Sequence, residues 1–406
     1  VQPIIVPVVV FTGIVVLLSL FVLAAHALLV PSGDVTIAVN GRTELRVEPG
    51  NKLLWTLAGR GILLPAVCGG RGTCGQCRVT VLRGGGPLLP TETAHIDRWE
   101  AAAGIRLACM VTVREDLEIT VPADLLEAKR WRTTVRSNTN VAPLLTELVL
   151  SMPEAERLAF EAGDYVLLEA PAYSVAFRDF DVDADYREDW QRHRLFRLSS
   201  SSPEPVARAY SLANAPREDS IAKLLVRIAT PPPHAPPGTP PGRVSSYIFS
   251  LRPGDHVTIS GPFGEFHASD SDREMLMLAG GVGIAPIRSI IVDQLERGAS
   301  RKIGLWYGAR DMRDLCFADE FDALAARHAN FEWHAALSEP RAGKAHAGHT
   351  GFVHAVVLEQ YLGKHPAPEE VEYYLCGPPL MSAAVQDMLY DLGVDRENIF
   401  FDDFGR

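Results

Sequence analysis

The chain has 406 residues, of which 22% are charged and 47% hydrophobic, with 33 Gly and 29 Pro. At roughly 150 residues per domain this calls for two or three domains, and the composition excludes wholesale disorder and a collagen-like repeat. Thirty-nine Lys and Arg against 50 Asp and Glu leave a formal charge of −11, which disfavours binding to nucleic-acid phosphates.

Residues 6–30 read VPVVVFTGIVVLLSLFVLAAHALLV, without Asp, Glu, Lys or Arg. A helix needs roughly 20 apolar residues to cross a bilayer core, so residues 1–33 are expected to form a transmembrane anchor. A cleaved signal peptide would need a basic start and a shorter apolar stretch, and a buried core helix would show a polar stripe. His26 inside the span is the one candidate for a proton or ion relay, as a minor reading. No basic residue precedes the span while Arg42, Lys52 and Arg60 follow it, which places the rest of the chain on the cytoplasmic side.

Residues 34–127 open with the alternating segments DVTIAVN and TELRVEP, a hairpin turning at Gly41-Arg42, and continue into a short amphipathic helix, NKLLWTLAGRG. The stretches VCGGRGTCGQCRVTVL and LACMVTVREDLEITVP then supply Cys68, Cys74, Cys77 and Cys109. Six cysteines in a chain this long are too few for a disulfide scaffold, so these four read as ligands. The C-x5-C-x2-C spacing is one residue longer than the plant-type ferredoxin pattern. Gly69, Gly70, Gly72 and Gly75 let the backbone wrap a cluster and aim N–H groups at its sulfurs. Zinc sites usually show two C-x2-4-C knuckles, whereas only Cys74 and Cys77 form one here; a [2Fe-2S] cluster is the favoured reading. Cys316 and Cys376 lie in other contexts.

Residues 128–268 hold short β-branched runs, RWRTTVRSNTN, LLTELVL, GDYVLLEA, AKLLVRIAT and GDHVTISGP, separated by Gly, Pro and Asp turns. Such spacing predicts an antiparallel barrel. Within it, Arg208 offers a cation for a pyrophosphate, Tyr210 a ring to cover a flavin face, and Ser211 a hydroxyl that can reach flavin N5. Ser245 and Ser246 stand at a helix start, where N–H and hydroxyl groups suit an anion. Two inserts, the charged residues 178–194 and the polyproline-like PPPHAPPGTPPG at 231–242, are expected to be solvated loops rather than docking surfaces.

Residues 269–406 alternate between buried strands and amphipathic helices: EMLML, then KIGLWYGAR, FADEFDALAARH, FEWHAAL, FVHAVVLEQYL, VEYYLC and LMSAAVQDMLYDLG. This predicts a parallel doubly wound sheet with ligand at the carboxyl ends of its strands. Gly280 to Pro286, Tyr307 to Arg310 and Cys376 to Pro379 fall at three such ends. Gly280-Gly281-Val282-Gly283-Ile284-Ala285-Pro286 departs from the full dinucleotide fingerprint, with Pro286 near the third-glycine position, where it can begin a helix that receives a pyrophosphate. Cys376 reads as a small polarizable wall beside a nicotinamide rather than a nucleophile. His334, His346, His349 and His354 are too dispersed over strand, loop and helix to favour a metal site.

In order, the membrane segment, CGGRGTCGQC with LAC, RAYSLAN, GRVSSYIFSL, ISGPFGEF, GGVGIAP, LWYGARD, YYLCGPP and the terminal FFDDFGR resemble the F subunits of sodium-translocating NADH:quinone oxidoreductases over essentially the whole length. The resemblance implies a multidomain protein: an N-terminal transmembrane helix, a β-grasp [2Fe-2S] ferredoxin-like domain, an antiparallel β-barrel FAD domain and an α/β parallel-sheet NADH domain. It implies that Cys68, Cys74, Cys77 and Cys109 ligate the cluster, and that Arg208, Tyr210, Ser211, Asn214, Ser245 and Ser246 hold FAD. Phe404 would lie against the flavin ring, and Gly281, Gly283, Pro286, Arg310, Cys376 and Gly377 would line the NADH site. Ser211, Cys376 and Phe404 would stand closest to the reacting atoms. Arg406 replaces an expected terminal Gly.

The implied setting is a bacterial inner membrane, crossed once, with the other membrane subunits and, through them, quinone as partners. The implied activity moves a hydride from NADH to FAD and then single electrons to the cluster, coupled in the complex to sodium export. The competing enzyme is the reductase component of a multicomponent monooxygenase, against which residues 6–30 speak. A membrane-anchored cluster-binding protein without turnover is the competitor from another class. NADH is preferred over NADPH on the resemblance, and Arg310 in YGARD leaves open a contact to a 2′-phosphate.

Overall fold

The computed structural model describes residues 10–21, 33–66, 68–122, 124–126, 128–232, 234–236, 238–341 and 348–402. Residues 10–21 form helix α1, whose apolar side chains are exposed. The rest of the expected span, His26 included, lies outside the described residues, among which no helix is long and apolar enough to cross a membrane. The chain divides into two compact units, residues 1–64 with 70–127 and residues 65–69 with 128–406.

The first unit is a five-stranded sheet in the order β2-β1-β5-β3-β4. Strands β1 (Val35–Val39) and β2 (Thr43–Val47) form the hairpin, and its turn holds Asn40 and Gly41 at positive φ, as tight hairpins demand. Strand β5 (Leu117–Thr120) runs parallel to β1 and antiparallel to β3 (Arg78–Arg83), which also pairs β4 (Ile105–Leu107). Helix α2 (Leu53–Ala58) buries Leu53, Leu54 and Leu57, one helical face, and α3 (Arg98–Ala102) starts at an Asp97 cap.

An ion pair sits inside this unit. Glu92, with none of its surface exposed, accepts from Arg106 Nε at 2.9 Å and Nη2 at 2.8 Å and from the amides of Leu89 and Leu107 at 2.9 and 3.0 Å. Arg106 also donates to the carbonyls of Gly85, Gly86 and Pro87, so every polar group has a partner and the 85–92 loop is fixed to β4. Burial pushes the Glu92 carboxyl up, but the hydrogen bonds from Arg106, Leu89 and Leu107 outweigh it and hold the pKa below the usual glutamate value. Because the folded value is depressed, the stabilisation is present above the unfolded value of about 4.3 and is lost as pH falls through the folded one. Glu92→Ala leaves Arg106 buried without its carboxylate and is expected to cost the unit about 3 to 5 kcal/mol at pH 7. Urea melts at pH 7 and pH 3 check this, with the wild-type and variant curves converging at the acid end.

The second unit holds two six-stranded sheets. In the first, β6 (Lys129–Ala142), β7 (Leu145–Ser151), β8 (Tyr165–Ala170), β11 (Val206–Ser211), β12 (Ile221–Arg227) and β13 (His256–Phe263) run antiparallel in the order β11-β8-β13-β6-β7-β12. An antiparallel bridge between Leu212 and Leu224 joins its edges, so the strands close as the expected barrel. Alternate side chains, among them Leu148, Leu150, Val166, Leu168, Leu224, Val226, Val257 and Ile259, fill its interior. Helix α5 (Arg243–Ser250) adds Val244, Ile248 and Phe249, and strands β9 (Tyr173–Ala176) and β10 (Ser199–Ser202) form a separate two-stranded antiparallel sheet.

The first insert is not a solvated loop. Residues 178–194 include helix α4 (Arg187–Arg192), and Trp190 is fully buried with its Nε1 donating to the Pro143 carbonyl at 2.7 Å. Its ring packs among Phe177, Phe180, Phe196 and Phe249 at centroid distances of 5.5 to 6.1 Å. Six acidic and four basic residues between 178 and 194 dominate the composition, yet the few apolar ones carry the packing. Of the described residues of 231–242, all but the buried Pro241 are exposed or half-buried.

The second sheet is parallel, in the order β17-β16-β15-β14-β18-β19. Its strands are β14 (Met275–Gly280), β15 (Ile303–Ala309), β16 (Phe331–Leu337), β17 (His349–Thr350), β18 (Glu372–Cys376) and β19 (Ile399–Asp402). Helices α6 (Ile284–Glu296), α7 (Ala318–Arg327), α8 (Val353–Gln360) and α9 (Pro379–Asp391) connect or follow them. Strand β14 is buried along its whole length, which matches its uninterrupted apolar run. Chain order reverses beside β14, with β15 and β16 on one side and β18 and β19 on the other, so the switch-point crevice opens between β14 and β18.

Candidate functional site

The iron–sulfur candidates come from one loop and the end of a strand. Cys68, Cys77 and Cys109 are buried and Cys74 is half-buried, and none is in a disulfide. The amide of Ala108 donates to the Cys77 carbonyl at 2.8 Å, extending the β3–β4 pairing so that Cys77 and Cys109 lie on adjoining segments. Gly70, Gly72 and Gly75 have φ between 70° and 79°, and a Cβ on each would fall 2.8 to 3.0 Å from Trp55, Met110 and His95 respectively. The loop therefore requires glycine for both conformation and space. Among the described residues no three His, Cys, Asp or Glu side chains group around one metal ion; a two-iron cluster takes two thiolates per iron and does not require such a group. In the first unit Cys74, Cys77 and the glycine-built loop, with Cys109 beside Cys77, suit that cluster; Cys68 falls in the segment grouped with the second unit. His334 and His349 instead pack on Trp306, 4.4 and 5.8 Å between centroids, and His354 stacks on Phe352; His346 lies outside the described residues.

At the switch point, β14 ends at Gly280 and β18 ends at Cys376. Gly283 is the N-cap of α6 and takes an ordinary helical φ of −63°. It must be glycine for another reason: a Cβ there would lie 2.1 Å from the Cys376 carbonyl oxygen and 2.7 Å from the Gly377 amide. Gly281, at φ +55°, has nothing within 4 Å of a Cβ, so it faces open space. Pro286 is the third residue of α6, where a missing N–H forfeits no helical bond. No side chain caps the helix, leaving its positive end to an anion.

Ser211, Cys376 and Asp402 meet at this crevice. Cys376 is fully buried and pairs in register with Asp402 of β19, and Ser211 Oγ donates to Asp402 Oδ2 at 3.4 Å. Asp402 was not among the residues expected from the sequence; its only signal was its place in FFDDF, two residues before Phe404, and residues 403–406, Phe404 included, lie outside the described residues. Tyr210 is half-buried on β11, and burial pushes its phenol pKa well up, so the hydroxyl stays protonated at neutral pH. Arg208 Nη1 donates to the neighbouring Ala207 carbonyl at 2.7 Å.

On the barrel side the expected polar side chains are engaged within the protein. Asn214 ties the segment after β11 to the start of β12: Nδ2 donates to the carbonyls of Glu218 and Ile221 at 3.2 and 3.1 Å, and Oδ1 accepts from the Lys223 amide at 2.9 Å. The hydroxyls of Ser245 and Ser246 both turn back on the Gly242 carbonyl, at 3.2 and 2.7 Å. Since Gly242 gives α5 no side-chain cap, first-turn amides are what this helix offers an anion.

Arg310, at the end of β15, is paired: its Nε and Nη2 lie 3.3 and 3.4 Å from the Asp314 carboxylate. Nearby Arg341 meets Asp311 at 2.8 Å and Arg313 meets Asp189 of α4 at 3.0 Å. These three pairs line a cavity of about 210 Å³ beyond the ends of β15 and β16.

Residues 37–114 match the 2Fe-2S iron-sulfur cluster binding domain, residues 192–268 the oxidoreductase FAD-binding domain and residues 277–387 the oxidoreductase NAD-binding domain. A Neisseria meningitidis protein, named as the F subunit of the Na(+)-translocating NADH-quinone reductase, is 52% identical over 403 residues, covering 99% of both chains. The chain belongs to this family of F subunits. Members from Klebsiella pneumoniae (52% identical, 99% of both chains) and Pseudomonas aeruginosa (50%, 97% of both) carry the same name. Among solved structures, an Amycolatopsis cytochrome P450 reductase is 27% identical with a TM-score of 0.65 over 91% of this chain and 98% of its own. The ferredoxin reductase in carbazole 1,9a-dioxygenase, at 23% and TM-score 0.61 with the same coverage, shares the fold. The chain thus carries domains for an iron–sulfur cluster, FAD and NAD, and the relatives named above that match at about half identity are quinone reductase subunits.

Proposed function

We propose that this chain is the electron-input subunit of a sodium-translocating NADH:quinone oxidoreductase. The observation that carries the reading is the match to F subunits over 99% of both chains, with the three cofactor domains in order. A bound flavin would supply the conversion of a two-electron hydride into single electrons, which a two-iron cluster takes one at a time. On this reading the chain's residues bind and align. Cys68, Cys74, Cys77 and Cys109 hold the cluster; Arg208, Tyr210, Ser211, Asn214, Ser245, Ser246 and Phe404 hold FAD, Ser245 and Ser246 through first-turn amides. Gly281, Gly283, Pro286, Arg310, Cys376 and Gly377 line the nucleotide site, where Ser211 and Asp402 share one hydroxyl proton beside the reacting atoms.

The finer assignments belong to the same proposal: an anchor over residues 1–33, domains over 34–127, 128–268 and 269–406, a single crossing of the bacterial inner membrane with the cofactors on the cytoplasmic side, and onward transfer through partner subunits to quinone. The apolar run at 6–30 supports the anchor. Retention in the membrane pellet after a high-salt wash, and its loss on deleting residues 1–33, tests that part; a full-length chain released by salt would contradict it.

The paired arginines support NADH over NADPH, because a guanidinium already matched by a carboxylate gains less from a 2′-phosphate and the carboxylate repels it. Asp314→Asn frees Arg310 and is expected to raise kcat/KM for NADPH by roughly 10-fold while that for NADH changes by less than about 3-fold. Steady-state rates with an artificial acceptor measure both, and an unchanged ratio would sink the assignment.

A further inference from the structure

Helix α6 carries an arginine that the cofactor reading leaves unused. Arg288 is 5% exposed. Its Nη1 donates to the Ala213 carbonyl, while Nε and Nη2 grip both oxygens of Glu320 on α7 at 2.7 and 2.6 Å. Its guanidinium also lies over the Phe317 ring, 5.1 Å from the centroid. The next residue repeats the connection, Ser289 Oγ donating to the Asn214 carbonyl at 2.7 Å. Ala213 lies two residues after Ser211, and Arg288 two residues after Pro286. The side chain therefore joins the segment that would face the flavin to the helix that would receive the nucleotide.

Cohesion alone does not call for such a group. Taking a guanidinium and a carboxylate out of water is expensive, and an apolar side chain of similar size would hold the two layers together as well. A bidentate fork adds fixed geometry: it fixes α6 against α7 while Nη1 ties the helix to the segment after β11, where an oily contact would allow sliding. The same hub reaches the glycine-rich turn. Tyr307, fully buried, donates from its hydroxyl to the Gly281 carbonyl and accepts from the Cys316 amide, both at 3.3 Å. Cys316 precedes Phe317, whose left-handed φ of 64° starts α7. Burial pushes the Cys316 thiol up to about 12, so this end of the network stays neutral.

We propose that Arg288, with Ser289 in support, is a positioning residue that sets the approach of the nicotinamide to the flavin. The inference rests on the function proposed above. Hydride transfer requires reacting atoms about 3 to 3.5 Å apart, and an error near 1 Å costs on the order of 100-fold in rate. Nothing in this role requires Arg288 to touch either ligand.

The test uses the full-length chain with Arg288→Met and Arg288→Lys. Flavin reduction is followed by stopped flow at saturating NADH and with NADH deuterated at the transferred position, and amide exchange over residues 211–215 is read in the same cofactor-replete protein. The Met variant is expected to reduce its bound flavin roughly 10- to 100-fold more slowly per flavin, with an altered isotope effect and NAD⁺ affinity within about 3-fold of wild type. Exchange at 211–215 should rise at least about 10-fold. The Lys variant, which keeps the charge without the fork, should fall between, and it carries the test if the Met variant does not fold. A lowered melting temperature with an unchanged reduction rate per flavin and unchanged isotope effect would overturn the inference. Failure of the wild-type chain to reduce flavin at all would instead overturn the function on which it rests.

Discussion

Gly283→Ala is expected to lose at least about 100-fold in kcat/KM for NADH and to melt at a lower temperature than wild type. A methyl 2.1 Å from the Cys376 carbonyl oxygen and 2.3 Å from its carbon cannot be absorbed by rotating a side chain, because the obstacle is backbone. The start of α6 and the end of β18 must move apart, and Cys376, Asp402 and Ser211 depend on that junction for their mutual placement. Gly281→Ala is the informative contrast. Its Cβ meets nothing in the protein, and the φ of +55° costs an L-residue about 1 kcal/mol. It should melt close to wild type yet bind NADH more weakly if the open space before it receives the nucleotide. Melting curves and steady-state kinetics of both variants check the pair; normal stability and turnover in Gly283→Ala would contradict the reading of the crevice.

Cys74→Ala is expected to remove the iron–sulfur absorbance and paramagnetic signal while leaving NADH-dependent flavin reduction within about 3-fold of wild type. The expectation follows from the division of the chain, since Cys74 belongs to the first compact unit and the flavin and nucleotide candidates to the second. Iron and sulfide analysis with stopped-flow flavin reduction measures both effects. A variant that keeps a full cluster would remove Cys74 from the ligand set.

Much of the fold was legible because its signals are local. The period-two runs became barrel strands, the alternation after Glu274 became the parallel sheet, and the glycine-rich turns fell at strand ends. What escaped depends on partners distant in sequence. Trp190 is hidden among charges, and only its contact with Pro143, 47 residues away, shows it as core. Nothing in RAYSLAN shows that Asn214 ties its segment to Glu218 and to β12 through three side-chain bonds. The destination of Arg310 is settled by Asp314, whose place one turn on does not reveal a pair without the fold. Strand β19 is a four-residue edge, too short for periodicity to declare, and Asp402 came with it. Arg288 looks like one charge on an amphipathic helix; its partners lie 32 and 75 residues away.

The electron path is tested most directly by anaerobic titration of the full-length, cofactor-replete chain with NADH, following the flavin by visible absorbance and the cluster by electron paramagnetic resonance. Flavin bleaching together with the rhombic signal of a reduced two-iron cluster is the predicted result. Flavin that stays oxidised through excess NADH would contradict the account at its first step.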